Sequence, residues 1–235
     1  MRSLSIQNVA FLGSGEFSPL NLTNLYGWWD FSDLATITKD GVNRVSQVND
    51  KSGNSRHLTQ ITGGDQPLWV DNDQNGLDVI DFAGSRFLET ATWVALSQPI
   101  TYFIALLMPV NGGVDKAIVD SISNTSLVYK QTTDNRFLEF AGDNMGFTEA
   151  GIQGTNKYLT CIFDGTSSKY RVNGVHKNTE GTTVGTGTNN GLLVGARDGT
   201  MYSNTKIFEV IFINGSPSAV EITKTETYLA NKWGL

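Results

Sequence analysis

Ile100-Thr-Tyr-Phe-Ile-Ala-Leu-Leu-Met-Pro-Val110 is the most hydrophobic stretch of this chain, and its reading decides the fold. A β-strand sends successive side chains to opposite faces. Tyr102, Ile104, Leu106 and Met108 therefore share one face, and Phe103, Ala105 and Leu107 share the other. A strand apolar on both faces is central and covered on both sides, as in the middle of a sandwich. Lys206-Ile-Phe-Glu-Val-Ile-Phe-Ile213 has the same character, with Ile207, Val210, Ile211, Phe212 and Ile213 implying deep burial. The expectation is two stacked antiparallel layers that bury both segments.

Outward from these strands the pattern is of short apolar runs separated by turn residues. Residues 25–31 form a first core strand in which Trp28 and Trp29 point to opposite faces. Residues 42–48, 57–61 and 68–70 follow as strands, and 71–76 as a polar turn. Residues 77–82 and 86–89 suggest a strand pair around Ala83-Gly-Ser85. Further strands are expected at 116–120, 126–131, 136–141, 158–164, 169–172 and 192–195. Such regular spacing is the mark of a sandwich or barrel. Asn173-Gly174 between strand residues signals a type I′ hairpin, which needs positive φ at both central positions. The Gly- and Thr-rich residues 179–190 suggest an exposed loop. One helix is convincing and comes last. Ser218-x-x-Glu221 is a capping box, and Ile222, Leu229 and Trp233 share a helical face, expected to seal an edge of the sandwich.

Composition narrows the function classes. The 235 residues fit one large β domain. Only 17% are charged, and 25 glycines against 5 prolines imply many turns. The net charge of −6, with no Lys/Arg cluster, argues against nucleic acid and against an anionic membrane surface. No stretch has the length and apolarity of a membrane span, and residues 1–20 do not resemble a signal peptide. Cys161, alone among apolar neighbours, is expected to be a buried, inert thiol.

Val48-Asn-Asp-Lys-Ser-Gly-Asn-Ser-Arg-His-Leu58 is a tight polar loop between apolar runs, with Asx and Ser side chains able to cap their own backbone. Together with Trp28-Trp-Asp-Phe-Ser-Asp33 upstream it resembles matching segments of laminin-G-like domains with the concanavalin A jelly roll. Asp81-Phe-Ala-Gly84, Tyr170-Arg-Val-Asn-Gly174, Leu193-Val-Gly-Ala196, Lys206-Ile-Phe-Glu-Val210 and Tyr228-Leu-Ala-Asn-Lys-Trp-Gly-Leu235 resemble later motifs of that group, in order. The resemblance implies an all-β fold, a concanavalin A-like jelly-roll β-sandwich with one C-terminal α-helix, over residues 25–235. Residues 1–24 precede it as an N-terminal arm, suited either to packing on a neighbouring subunit or larger assembly or to lying as a surface tail. Such domains are frequent in bacteriophage virion proteins and bind glycans or other proteins, some through calcium. The implied role is a non-enzymatic virion protein that recognises host glycan or receptor. Its expected partners are other virion proteins and copies of itself.

Candidate chemistry is sparse. Glycosidases of this fold carry their paired carboxylates as Glu-x-Asp-x-(x)-Glu on one strand face, and the chain has no such pattern. No nucleophile elbow, P-loop or dinucleotide fingerprint occurs, and a single Cys with distant His57 and His176 does not suit zinc. No catalytic residue is assigned. The alternatives are a carbohydrate-active enzyme on the same fold and a purely architectural capsid-cementing protein. For sugar binding, Trp69, Trp93 and Tyr202 are the aromatic candidates, with Asn144 and Asn189 as hydrogen bonders. Calcium is the one metal candidate, at Asp30, Asp50 and Asn54, because hard oxygen ligands gather there.

Overall fold

The computed structural model describes residues 16–110, 113–132, 136–149, 151–177 and 181–235. In chain order the strands are β1 (Leu25–Asp30), β2 (Ile37–Lys39), β3 (Val45–Val48), β4 (Leu58–Thr59), β5 (Leu68–Gln74), β6 (Leu77–Asp81), β7 (Leu88–Glu89) and β8 (Ile100–Leu107). They continue with β9 (Lys116–Asp120), β10 (Leu127–Lys130), β11 (Arg136–Phe140), β12 (Asn144–Thr148), β13 (Asn156–Phe163), β14 (Lys169–Val172), β15 (Val175–His176), β16 (Leu193–Val194) and β17 (Lys206–Ile213). Helix α1 (Ala219–Trp233) closes the chain.

The strands form two antiparallel sheets packed as a sandwich. The first runs β15-β14-β13-β8-β17-β6-β5, and β1 shares one side of β17 with β6. The second runs β12-β11-β10-β9-β16-β7-β4-β3-β2. The two segments expected at the centre pair with each other along their length, from Ile207 opposite Leu106 to Ile213 opposite Thr101. Tyr102, Ile104 and Leu106 join Ile207, Val210 and Phe212 in the core between the sheets. Phe103, Ala105, Phe208, Ile211 and Ile213 point the other way, to the outer face.

That outer face carries the helix. Leu229 and Trp233 are fully buried on it, with Trp28, Phe103 and Phe208 around them. The helix therefore covers a face of the first sheet rather than sealing an edge. The capping box is present, with Ser218 accepting from the Glu221 amide, and Gly234 ends the helix in the left-handed conformation at φ 66°. Trp28 and Trp29 do point to opposite sides, and both are buried, one under the helix and one in the sandwich.

Other expectations fail for physical reasons. The segments at 77–82 and 86–89 do not pair with each other. β6 lies in the first sheet and β7 in the second, where Glu89 is opposite Leu193 and Thr59. Adjacency in sequence is outweighed there by long-range pairing. The polar residues 71–76 are not one turn. β5 continues to Gln74 through an irregular register, and the reversal is confined to Asn75 and Gly76 at φ 52° and 74°. Residues 181–190 are not a freely exposed loop, since Val184 and Asn189 are fully buried and Val184 accepts the amides of Ala141 and Asp143. Strands β2 and β12 carry no apolar alternation strong enough to have been seen. The expected hairpin at Asn173-Gly174 joins β14 and β15, with φ 45° and 76° at its centre. Cys161 is buried, as expected.

The expected arm falls partly outside the described residues. Its described part packs on its own domain: Leu22 is buried, the Thr23 amide donates to Glu221 at 2.9 Å, and the Phe17 ring meets Tyr228 at 6.1 Å. Among the described residues, no helix is long and apolar enough to cross a membrane.

Candidate functional site

The loop at residues 48–58 is built around one carboxylate. Asp50 Oδ1 accepts the amides of Trp28 (3.0 Å) and Ser52 (2.8 Å), and Oδ2 accepts the Ser52 hydroxyl (2.8 Å) and the Arg56 amide (3.0 Å). The Asp50 amide donates to His57 Nδ1 at 3.1 Å. Gly53 at φ 87° and Ser55 at φ 58° supply the left-handed turns that bring the chain back. Trp29 Nε1 ties the loop to the core by donating to the Arg56 carbonyl at 2.9 Å. Arg56 and His57 are thereby held side by side where the loop enters β4.

Across from them the chain leaves β7. Its backbone is sewn to residues 189–192: the amides of Thr90, Trp93 and Leu96 donate to the carbonyls of Leu192, Asn190 and Asn189. Between the two strips lies a cleft of about 390 Å³. Ser55, Arg56, His57 and Thr59 form one wall, and Ala91, Thr92 and Trp93 the other. Trp93 stacks on Phe212 (6.0 Å, 21°), which stacks on Tyr102 deep in the core (4.8 Å, 23°). The Arg56 guanidinium lies 3.5 Å over the Tyr26 ring and 5.8 Å from that of Trp93. The walls offer an aromatic ring, hydroxyls, a guanidinium and an imidazole. Because His57 Nδ1 accepts from Asp50, the neutral ring carries its proton on Nε2 and presents a donor.

Of the sugar-binding candidates, only Trp93 lines this cleft. Asn189 is corrected: it is fully buried, its amide donating to Tyr102 Oη (2.7 Å) and Ser126 Oγ (3.0 Å). It acts from behind, its carbonyl accepting the Trp93 indole at 3.2 Å. Trp69 sits on edge strand β5 with Lys39 Nζ 4.5 Å over its ring. Tyr202 donates to the Gly199 carbonyl at 2.5 Å within its own turn. Asn144 accepts the Tyr129 hydroxyl at 3.0 Å at the start of β12. Trp69, Tyr202 and Asn144 thus lie on separate elements. Arg56 and His57 were not among the candidates, although they are adjacent, cation-forming side chains closing a polar loop in an acidic chain.

Two of the three calcium candidates, Asp30 and Asp50, have their carboxylate oxygens bound to protein donors. Asp30 is 5% exposed and pairs with Lys232 Nζ at 2.6 Å and Lys51 Nζ at 3.0 Å. Burial would push its carboxyl up, but the two ammonium groups and the Ser32 hydroxyl hold it below the usual carboxylate range. The Asp50 oxygens are taken by the donors named above, and Asn54 donates its amide to the carbonyls of Leu25 and Tyr26. Among the described residues, no group of three or more His, Cys, Asp or Glu side chains is arranged to hold a metal.

Lys232 also leads to a second polar cluster, under the helix. Glu209 is fully buried and accepts from Trp28 Nε1 (2.6 Å), Tyr228 Oη (2.8 Å), Trp233 Nε1 (2.8 Å) and Lys232 Nζ (2.9 Å). Burial raises its carboxyl above the usual range against the pull of Lys232, and burial with the neighbouring Glu209 raises the Tyr228 phenol. A hollow of about 520 Å³ lies beside this cluster, between Phe17 and the helix. It is larger than the cleft, and two of its polar groups, the Tyr228 hydroxyl and the Lys232 ammonium, are already bound to Glu209, while Glu16, Lys224 and Asn231 also line it.

The sequence matches no protein-family model and no curated protein. Solved structures do match in fold. Domain 4 of AbnA, a GH43 extracellular arabinanase from Geobacillus stearothermophilus in complex with arabinotriose, superposes with a TM-score of 0.58 at 13% identity, over 86% of this chain and 98% of that domain. The botulinum neurotoxin type G receptor binding domain gives 0.58 at 13% identity, over 88% and 51%. A Trypanosoma rangeli sialidase gives 0.53 at 10% identity, over 89% of this chain and 33% of that one. The chain thus spans about a third of that sialidase's length. At these identities the likeness is one of fold, a two-sheet β-sandwich.

Proposed function

We propose that this protein is a non-enzymatic carbohydrate-binding module whose ligand lies in the cleft between Arg56-His57 and Trp93. The carrying observation is the cleft's composition. It combines an aromatic ring braced by Phe212 with hydroxyl, imidazole and guanidinium groups, the means by which polar pockets orient a ligand. None of its lining residues is a carboxylate, so it lacks the pair that glycoside hydrolysis requires. The fold it shares with a domain solved with arabinotriose and with a receptor-binding domain supports the same reading.

A glycan array probed with the purified protein and with Trp93→Ala tests it. The expected result is binding by the native chain and at least a ten-fold loss in the variant. Equal binding by both would move the site elsewhere, and product release from a polysaccharide panel would replace the reading with an enzymatic one. The setting proposed is a phage virion surface, on a homo-oligomer, and rests on the resemblance to laminin-G-like modules. Mass spectrometry of purified particles and the molar mass in solution test those two points.

A further inference from the structure

We infer that the sugar recognised in this cleft carries a carboxylate, as a uronic or sialic acid does. The inference rests on the glycan-binding reading above and names the class within it. Its observation is an uncompensated guanidinium. Arg56 has no carboxylate ion pair among the described residues, as is also true of Arg44 and Arg86, whereas Arg171 pairs with Glu226 and Arg197 with Asp120. Of the three, Arg56 is the one that lines the cleft. Arg56 uses Nη1 to hold the Tyr26 carbonyl at 3.1 Å, and its stacking on Tyr26 fixes the plane of the group. The Nε and Nη2 donors, which form the side-on fork, make no hydrogen bond to the described residues. That fork matches the two oxygens of a carboxylate, a bidentate fit that a lysine would not provide.

His57 adds to the match. With Nδ1 committed to the Asp50 amide, its Nε2–H is a second donor on the same wall, and Thr59 follows on the strand. No Asp or Glu is among the residues that line the cleft, and Glu89, opposite Thr59 on β7, adjoins it. In a chain of net charge −6 this absence is local, so it is not the reflection of a generally basic surface. Trp93 then serves as the platform for the ring face, and the guanidinium for the acid.

The test uses matched pairs: sialyllactose against lactose, and oligogalacturonate against the same oligomer with its carboxyls chemically reduced. Titration calorimetry on the full chain should show the acidic member binding at least ten-fold tighter, with the difference shrinking as salt is raised. Arg56→Gln should abolish that preference, and Arg56→Lys, which keeps charge but not the fork, should lose most of it. Carboxyl reduction leaves the protein untouched, so the result does not depend on how the variants fold. If neutral and acidic members bind alike, or if only sulfated glycans bind, the inference is overturned and the glycan-binding reading stands. If no glycan binds, both fall.

Discussion

The outer face under the helix and the cleft at the loop are built from the same materials, aromatic rings around charged side chains, yet they differ in completeness. Under the helix, Glu209 receives donors from Trp28, Tyr228, Lys232 and Trp233, and Lys232 passes on to Asp30 and Lys51. Glu209, Lys232, Asp30 and Lys51 there each have a counter-charge among themselves. In the cleft, Arg56 and His57 are held in place by backbone groups and keep donors to spare. The first arrangement is suited to holding the fold together and the second to binding. Of the motifs that carry the family resemblance, Tyr228-Leu-Ala-Asn-Lys-Trp-Gly-Leu235 and the Trp28 and Asp30 side chains belong to the saturated region, whereas the loop at 48–58 forms one wall of the cleft.

The largest test of this contrast is Glu209→Ala. It would leave two indole N–H groups and the Tyr228 hydroxyl without their acceptor beside a void, and Lys232 with Asp30 as its one remaining carboxylate. We expect a loss of about 3–5 kcal/mol in denaturant unfolding. A loss below about 1 kcal/mol would mean that the helix is held by apolar contact alone.

Glu139 sharpens the comparison because it is a carboxylate buried as deeply as Glu209 but without that ring of donors. It lies on β11 with its side chain wholly enclosed. Burial pushes its carboxyl well above the usual range, with only the Cys161 thiol pulling the other way. A raised folded value gives stability that is present below the unfolded value and is lost as pH rises. Glu139→Gln should therefore stabilise the protein, by about 1–3 kcal/mol at pH 8, and the gain should vanish below pH of about 4. Melting temperatures across that range check it. A loss of stability at pH 8 would show that the carboxylate has a partner that Glu209-type reasoning overlooks.

A smaller effect is expected at the helix start. The Ser218 hydroxyl, then the Thr23 amide, hold the Glu221 carboxyl down at about 2, against an ordinary value of 4.5. A depressed value gives stability present above the ordinary pKa and lost as pH falls through the folded one. Ser218→Ala should cost about 1 kcal/mol at neutral pH. Its deficit should shrink between pH 4.5 and pH 2, where the native chain loses the same interaction. A deficit independent of pH would leave the cap and uncouple it from Glu221.

The smallest change is expected in the cleft. Arg56→Gln removes a ring contact and one bond to a carbonyl, for about 0.5–1 kcal/mol. A cost rivalling that of Glu209→Ala would make Arg56 a structural residue and erase the distinction between the two regions.

Much of the architecture was legible because burial on two sides leaves a mark in sequence. The runs at 100–107 and 206–213 carry apolar residues on both faces, as a covered central strand does. The cap at Ser218 and Glu221 and the turn at Asn173-Gly174 are local, each set by side-chain and backbone chemistry within a few residues. The destination of Glu209 was not local. A register shift between Ile207 and Glu209 breaks the alternation, so Phe208 and Glu209 both serve the helix side. Strict period-two reading has no means of seeing that bulge.

The sequence by itself determined the class: an all-β sandwich with a capped C-terminal helix, and loops closed by Asx and glycine turns. Local periodicity and turn chemistry suffice for those. Only the tertiary structure decided which polar residues are spent and which are free. It buried Asn189 behind Trp93, gave Asp30 to two lysines, and left Arg56 beside Trp93 with its fork unpaired among the described residues. Partners drawn from far along the chain settle that outcome, and the spacing of residues carries no record of them.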